Sequence, residues 1–391
     1  MPVVNRIADF LPDLAAWRHE IHAHPETAFE ERRTADFVAA RLREFGLEVH
    51  RGLAGTGVVG TLAGKRPGSR AIALRADMDA LHIHEKNAVA YASTTPGKMH
   101  ACGHDGHTAM LLGAARYLAE TRNFTGVVHF IFQPAEENEG GGREMVQDGL
   151  FERFPVEAVY GMHNWPGMTA GKFATRPGPM MASFDIFELI VRGQGGHAAL
   201  PHLGTDAVVA ATQITTALQT LVSRTVNPLD SAVVSVTQIH GGDTWNVIPE
   251  EVVLRGTTRS FKPAVQAAIE AGIRRIAEGI AAAMGASVEL RYERRYPPTV
   301  NSAAETATAL AAAAEIVGDG NVDGALAPTM GSEDFSFMLQ SVPGCFIFIG
   351  NGTGDKAIGL HNPRYDFNDE ILPIGASYWA RLVERVLGRA A

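Results

Sequence analysis

The stretch Lys98 to His107, KMHACGHDGH, packs a thiol, three imidazoles and a carboxylate into ten residues. A thiolate and an imidazole both suit a borderline transition metal such as zinc, and their nearness in sequence lowers the chain entropy lost on binding. A loop running into a helix would point Cys102 and His104 to one side; the competing reading is a buried cysteine beside a helix-capping histidine. In the second stretch, FQPAEENEGGG (Phe132 to Gly142), Glu136 and Glu137 follow directly on an apolar strand. Ligands and catalytic groups of open α/β sheets gather beyond the carboxyl ends of strands. Adjacent carboxylates there repel unless a cation compensates or one takes a proton, which suggests one metal ligand and one proton carrier; a solvated acidic turn is the alternative. His163, ending the run VYGMHN, and His361, in GLHNPRYDF, add two imidazoles, each unremarkable by itself. Together Cys102, His104, Glu136, Glu137, His163 and His361 exceed what one tetrahedral ion uses, which points to a dinuclear site.

These groups need a scaffold, and the hydrophobic pattern supplies one. Ala35, Val38, Ala39, Leu42 and Phe45 fall at helical spacing, with Gly46 as a stop. Apolar runs at Val58–Leu62, Ala71–Leu74, Val127–Phe132 and Ala158–Tyr160 alternate with a helical stretch from Gly106 to Leu118, the pattern of an α/β sheet. From Phe184 the texture changes. The order becomes strand (Phe184–Arg192), helix (Asp206–Val222), strand (Ala232–Ile239), strand (Val252–Phe261), helix (Val265–Met284) and strand (Ser287–Tyr296), the βαββαβ pattern of a ferredoxin-like sandwich. Ile269, Ile273, Ile276 and Ile280 repeat at helical intervals, while Val288, Leu290 and Tyr292 alternate with charged residues. After Pro297 and Pro298 the first texture returns, with helices at Ala303–Val317 and Leu372–Leu387 and a strand at Cys345–Ile349. The expectation is a large mixed-sheet α/β catalytic domain (1–183 and 297–391) with a smaller domain (184–296) inserted into it.

Composition narrows the partners. The 391 residues are 46% hydrophobic and 20% charged, enough apolar surface for a large core, and the net charge of -9 lacks the basic surface that nucleic acid or an anionic membrane demands. Two cysteines, Cys102 and Cys345, argue against a disulfide-stapled secreted scaffold. The start of the chain has no secretory pattern and no stretch reaches membrane-spanning length, so a cytoplasmic protein is expected. Cys345, in the apolar strand GCFIFIG, is read as core.

At the level of motifs the sequence resembles the M20 metallopeptidase and amidohydrolase family, in the branch of hippurate hydrolases, bacterial N-acyl-amino-acid amidohydrolases and plant auxin-conjugate hydrolases. The resemblance runs through RADMDAL (Arg75–Leu81), HACGHDGHTAMLLGAA (His100–Ala115), FQPAEE (Phe132–Glu137), GMHNWP (Gly161–Pro166), GHAALPH (Gly196–His202), NVIP (Asn246–Pro249), GTTRSF (Gly256–Phe261) and GSEDFS (Gly331–Ser336). It implies a catalytic domain with an inserted lid and dimerisation domain, and two divalent ions whose identity (Zn, Mn, Co or Ni) stays open. By family pattern Cys102 bridges, His104 and His163 complete one ion, Glu137 and His361 complete the other, and Glu136 is general base and acid. His197 is implied as the group that stabilises the oxyanion, Asn246 and Arg259 as substrate-binding, and Asp77 and Asp79 as holding the ligands or their loop in place.

The implied activity is hydrolysis of N-acyl amino acids, small molecules whose free carboxylate suits a planar guanidinium. A dipeptidase or carboxypeptidase is the alternative within the family, and a metal-binding relative without catalysis would need a ligand or Glu136 missing. A homodimer or homotetramer through the lid is implied. The sequence departs from the family where a proline often follows the DMDAL segment: here stand His82, Ile83 and His84, two imidazoles read as surface or substrate-channel residues. The stretch His22 to Glu26 also resembles the family, and there Pro25 is read as a helix terminator without catalytic role.

Overall fold

The apolar runs become strands of two separate sheets. The computed structural model describes residues 3–137 and 139–388, and these divide into two compact units, Met1–Met180 with Val300–Ala327 and Asp334–Ala391, and Met181–Thr299 with Pro328–Glu333. The first unit opens with helices α1 (Leu11–Ala23) and α2 (Arg32–Glu44), strands β1 (Glu48–Leu53), β2 (Gly57–Ala63) and β3 (Arg66–Asp77), helix α3 (His104–Thr121), and strands β4 (Thr125–Gln133) and β5 (Ala158–Pro166). The second unit carries β6 (Phe184–Arg192), α4 (Ala207–Thr220), β7 (Ala232–His240), β8 (Glu251–Ser260), α5 (Pro263–Ala283) and β9 (Ser287–Tyr296). The chain then returns to the first with α6 (Ala303–Val317), β10 (Gly344–Gly352) and α7 (Leu372–Val386).

In the first unit, eight strands form one mixed sheet in the order β1-β2-β4-β3-β5-β10, followed by the two-residue strands Phe173–Ala174 and Val322–Asp323. Strands β4, β3, β5 and β10 are mutually parallel, so their carboxyl ends emerge on one side. The last six residues of β3 and all nine of β10 are buried. Such strands, covered on both faces, read as continuous apolar runs rather than alternating ones. Leu14, Ala109, Leu112, Trp379 and Leu382 of the flanking helices join Leu74, Phe130 and Ile347 in one core.

The second unit is a four-stranded antiparallel sheet, β7-β8-β6-β9. Helices α4 and α5 bury Ile214, Leu218, Ile269 and Ile273 against Leu189, Val191 and Leu254. Asp206 starts α4 by accepting the N–H groups of Val208 and Val209. The βαββαβ order expected from the texture is therefore the order observed. Among the described residues no helix is long and apolar enough to cross a membrane.

Helix α1 is absent from the hydrophobic reading because its buried face is partly ionic: Leu14, Arg18, Ile21 and His22 point inward. It ends at Ala23, two residues before Pro25. Arg18 is fully buried, 3.2 Å from Asp105 and 3.5 Å from Asp366, hydrogen-bonded to Asp369, and its guanidinium lies 4.5 Å over the Tyr91 ring. His22 stands with Nδ1 2.8 Å from Asp105 and Nε2 3.2 Å from Glu85. Two carboxylate acceptors call for a donor on both ring nitrogens. Burial opposes the imidazolium, but Asp105 and Glu85 prevail and raise its pKa to about 9.

A histidine raised in the folded state above its ordinary 6.5 stabilises fully below that value, and the contribution is lost as pH climbs through the folded pKa. The apo-protein should therefore lose stability between about pH 6.5 and 9, and His22→Gln should flatten that slope. Urea unfolding midpoints across this range check it; equal slopes in the two proteins would assign the loss elsewhere.

Candidate metal centre

The parallel strands deliver their chemistry at their carboxyl ends. Asp77 closes β3 and Asp79 follows it; Glu136 and Glu137 follow β4; His163 lies near the end of β5. Cys102 and His104 come from the loop that enters α3. Gly103 between them has φ 95°, and a Cβ there would lie 2.3 Å from Asn164 Oδ1 and 2.6 Å from the Tyr365 hydroxyl. Only glycine allows this loop so close to β5. His361, at φ 62°, is tied to the same loop by its N–H, which donates to Ala101 O at 2.8 Å.

The ligand atoms of Cys102, His104 and His163 lie within 4.8 Å of one another, and so do those of Cys102, Glu137 and His361. Cys102 is common to both groups. Sγ is 3.3 Å from His163 Nε2, and Glu137 Oε1 is 3.0 Å from His361 Nε2. All five residues expected as ligands are thus brought together. Glu136 is buried beside them, its Oε1 accepting the N–H of Asp334 at 3.4 Å, and its carboxylate falls within 4.8 Å of ligand atoms of His104 and Glu137.

Each ring nitrogen is assigned by its partner. His163 Nδ1 donates to Asn164 O at 2.6 Å and His104 Nδ1 donates to Asp79 O at 2.9 Å, which leaves both Nε2 atoms as lone-pair donors to an ion. Asp79 also accepts the N–H of Glu137 at 2.9 Å, so one carboxylate orients a histidine and a glutamate. Asp77 takes 2.7 Å and 2.6 Å contacts from Arg75 Nη1 and His107 Nδ1. His107, unassigned in the sequence reading, has both nitrogens engaged, since Nε2 accepts the N–H of Asn164 at 3.0 Å. It links the ends of β3 and β5 rather than offering a ligand.

The donor set fits divalent cations. His104 Nε2 is buried without a hydrogen bond, which a native interior rarely tolerates. Burial disfavours a charged His104, yet Asp77, Asp79 and Glu137 raise its pKa to about 10, so the cluster attracts positive charge at that nitrogen. Burial, then Glu137, Glu136 and Asp77, hold the Cys102 thiol well above its usual range. A thiolate here needs cations beside it.

The remaining expected residues lie in the second unit. His197 is exposed on a two-residue strand paired with Val247–Ile248, and Asn246 sits next to it, its carbonyl accepting the N–H of Ala198 at 3.0 Å. Arg259, on β8, stacks 4.0 Å over Phe184 and reaches Ser332 Oγ at 3.4 Å. Burial lowers its pKa, and no ion pair of this guanidinium occurs among the described residues. His82 and His84 are exposed, and Cys345 is buried in β10.

Comparison with known proteins places this geometry. The model of peptidase family M20/M25/M40 matches residues 73–385. The chain is 40% identical to the hippurate hydrolase of Campylobacter jejuni, covering 99% of this chain and all of that protein. It is also 40% identical to the N-acetyl-L-cysteine deacetylase of Bacillus subtilis, over 93% of this chain and 85% of the relative. A solved Bacillus subtilis structure described as a dinuclear metal binding peptidase from the M20 family superposes with a TM-score of 0.85 at 34% identity, over 97% of this chain and 99% of that one.

Replacing the soft thiolate by a hard hydroxyl, Cys102→Ser, should lower bound metal per chain. Elemental analysis of the purified, metal-exchanged protein measures it; unchanged stoichiometry would remove Cys102 from the centre.

Proposed function

The chain belongs to peptidase family M20, and from that premise we propose that this hydrolase is a two-metal amidohydrolase that cleaves N-acyl amino acids to a carboxylic acid and the free amino acid. The observation that carries the reading is the shared position of Cys102 in two adjacent ligand groups, with the buried Glu136 carboxylate beside them. Cys102 would bridge; His104 and His163 would hold one ion, Glu137 and His361 the other, drawn from zinc, manganese, cobalt or nickel. When bound, the ions would supply the charge that makes a water acidic near neutral pH and polarises an amide carbonyl.

Glu136 then accepts the attacking water's proton and delivers it to the amine nitrogen as the C–N bond breaks. Burial keeps this carboxylate out of bulk water, where its proton would exchange freely. Asp77 and Asp79 keep His107, His104 and Glu137 in fixed orientations. In the second unit, a half-buried guanidinium without an ion pair among the described residues favours an anionic group, and Arg259 is assigned the carboxylate of the substrate, with Asn246 as a further substrate-binding group and His197 stabilising the oxyanion. Two relatives named for hydrolysis of hippurate and deacetylation of N-acetyl-L-cysteine support an N-acyl amino acid as the substrate class.

Strand β7 is an edge of its sheet and exposes Ile239, which supports pairing with a second copy in a homodimer or a larger homo-oligomer. Two free buried cysteines fit a reducing, cytoplasmic setting.

Glu136→Gln should keep its metals and lose turnover of N-benzoyl and N-acetyl amino acids by about 10²–10⁴-fold; near-normal kcat with normal metal content would refute the proton-carrier role. Arg259→Ala should raise KM steeply for carboxylate-bearing substrates and little for their amides. Steady-state kinetics on both series decide it, and equal effects would take the carboxylate away from Arg259.

A further inference from the structure

Glu31 occupies the N-cap position of α2, is fully buried, and does not cap that helix with its side chain. Its carboxylate turns toward the end of β4. Oε1 accepts the N–H of Ala135 at 2.9 Å and the N–H of Phe29 at 3.0 Å, while Oε2 accepts the Thr56 hydroxyl at 2.7 Å. Phe29 and Ala135 have φ of 61° and 53°, two of only five non-glycine residues with positive φ among the described residues. A Cβ disfavours that region, and such conformations persist where the surroundings over-determine them. One carboxylate oxygen thus receives the N–H groups of two left-handed residues.

Ala135 immediately precedes Glu136 and Glu137, and its conformation turns the chain out of β4 so that both face the ligand cluster. The other side of the turn is closed by Gly141, whose N–H donates to Ala135 O at 2.9 Å. A Cβ on Gly141 would lie 1.8 Å from Pro134 O, so the turn has no slack there. Glu31 is the side chain that holds the Ala135 N–H from the opposite side. Both carboxyl oxygens act as acceptors in a fully buried place, so glutamine, of the same shape, can keep the Ala135 contact.

We propose that Glu31 is a positioning residue for the hydrolysis: by binding the Ala135 N–H it fixes the left-handed turn that aims Glu136 and Glu137, without touching substrate. This rests on Glu136 carrying the proton and Glu137 holding metal.

The test compares wild type with Glu31→Ala, Glu31→Gln and the double variant Glu31→Ala/Ala135→Gly. The readouts are kcat and KM on an N-benzoyl amino acid at saturating metal, zinc affinity by titration, and melting of the apo-protein. Glu31→Ala should lose about 10–100-fold in kcat or in metal affinity with KM nearly unchanged. Glutamine keeps an acceptor for Ala135 and should restore near-normal values. The double variant should regain part of the loss, because glycine adopts the left-handed turn without a Cβ to oppose it. Wild-type kcat and zinc affinity in Glu31→Ala would overturn the proposal, as would Glu31→Gln as impaired as the alanine variant, or no recovery in the double variant. A merely structural role would lower apo-protein melting and move kcat and KM together. If Glu31→Ala does not fold, Glu31→Leu, which keeps the bulk and removes both acceptors, replaces it. Zinc affinity keeps this test separate from the parent reading: full turnover in Glu136→Gln would sink the proton-carrier assignment, whereas intact zinc binding and kcat in Glu31→Ala would sink this one alone.

Discussion

Asp77, Asp79, Glu136 and Glu137 surround His104, and with the Cys102 thiol they place up to five negative charges in a region from which water is nearly excluded. Charges taken out of water cost several kcal/mol each unless something of opposite sign compensates. The protein supplies part of that compensation itself. Arg75, fully buried, contacts Asp77 at 2.7 Å and Asp334 at 3.0 Å, and His107 donates to Asp77. Among the described residues Glu137 has only His361 as an ion-pair partner, and the Cys102 sulfur lies against a histidine, His163, that burial keeps neutral. The uncompensated remainder favours a cation at this cluster, and the raised pKa of His104 expresses the same imbalance with a proton in the cation's place.

Holding repelling groups together requires rigid anchorage, and the first unit provides it from segments far apart in the chain. Parallel strands bring the carboxylates to one side, Gly103 lets the Cys102 loop approach Asn164, and Arg18 ties the start of α3 at Asp105 to Asp366 and Asp369, a few residues beyond His361. Glu31 and Asp79 do the same for the Glu136–Glu137 turn, one through Ala135 and the other through the Glu137 N–H. Arg18, Glu31 and Asp79 are buried polar side chains with hydrogen-bond partners, so the network specifies one arrangement instead of relaxing the repulsion by local rearrangement.

The candidate ligands are legible because cysteine, histidine and paired glutamates are conspicuous when they follow apolar strands, and the five expected residues lie together. Strand β3 runs to Asp77, beyond the Ala71–Leu74 segment read from hydrophobicity, because Arg75 and Asp77 are buried as an ion pair and look polar in sequence. Helix α1 carries no clear hydrophobic period for the same reason, its inward face being half arginine and histidine. His107 stood in view inside the KMHACGHDGH motif, yet nothing in its spacing separates a ligand from a residue hydrogen-bonded on both nitrogens. Glu31 was hidden more thoroughly: its partner Ala135 is 104 residues away, and a glutamate at a helix start reads as a cap. Local pattern reveals which groups can bind an ion, whereas the groups that aim them act through tertiary hydrogen bonds that no periodicity encodes.

One thiolate serving two ions is the core of the proposed site. Anomalous diffraction at the zinc edge, from crystals of the metal-loaded protein, tests it most directly. Two peaks per chain are predicted, each about 2.3 Å from Cys102 Sγ, one also bonded to His104 and His163 and the other to Glu137 and His361. A single peak, or a Cys102 sulfur facing away from the ions, would contradict it.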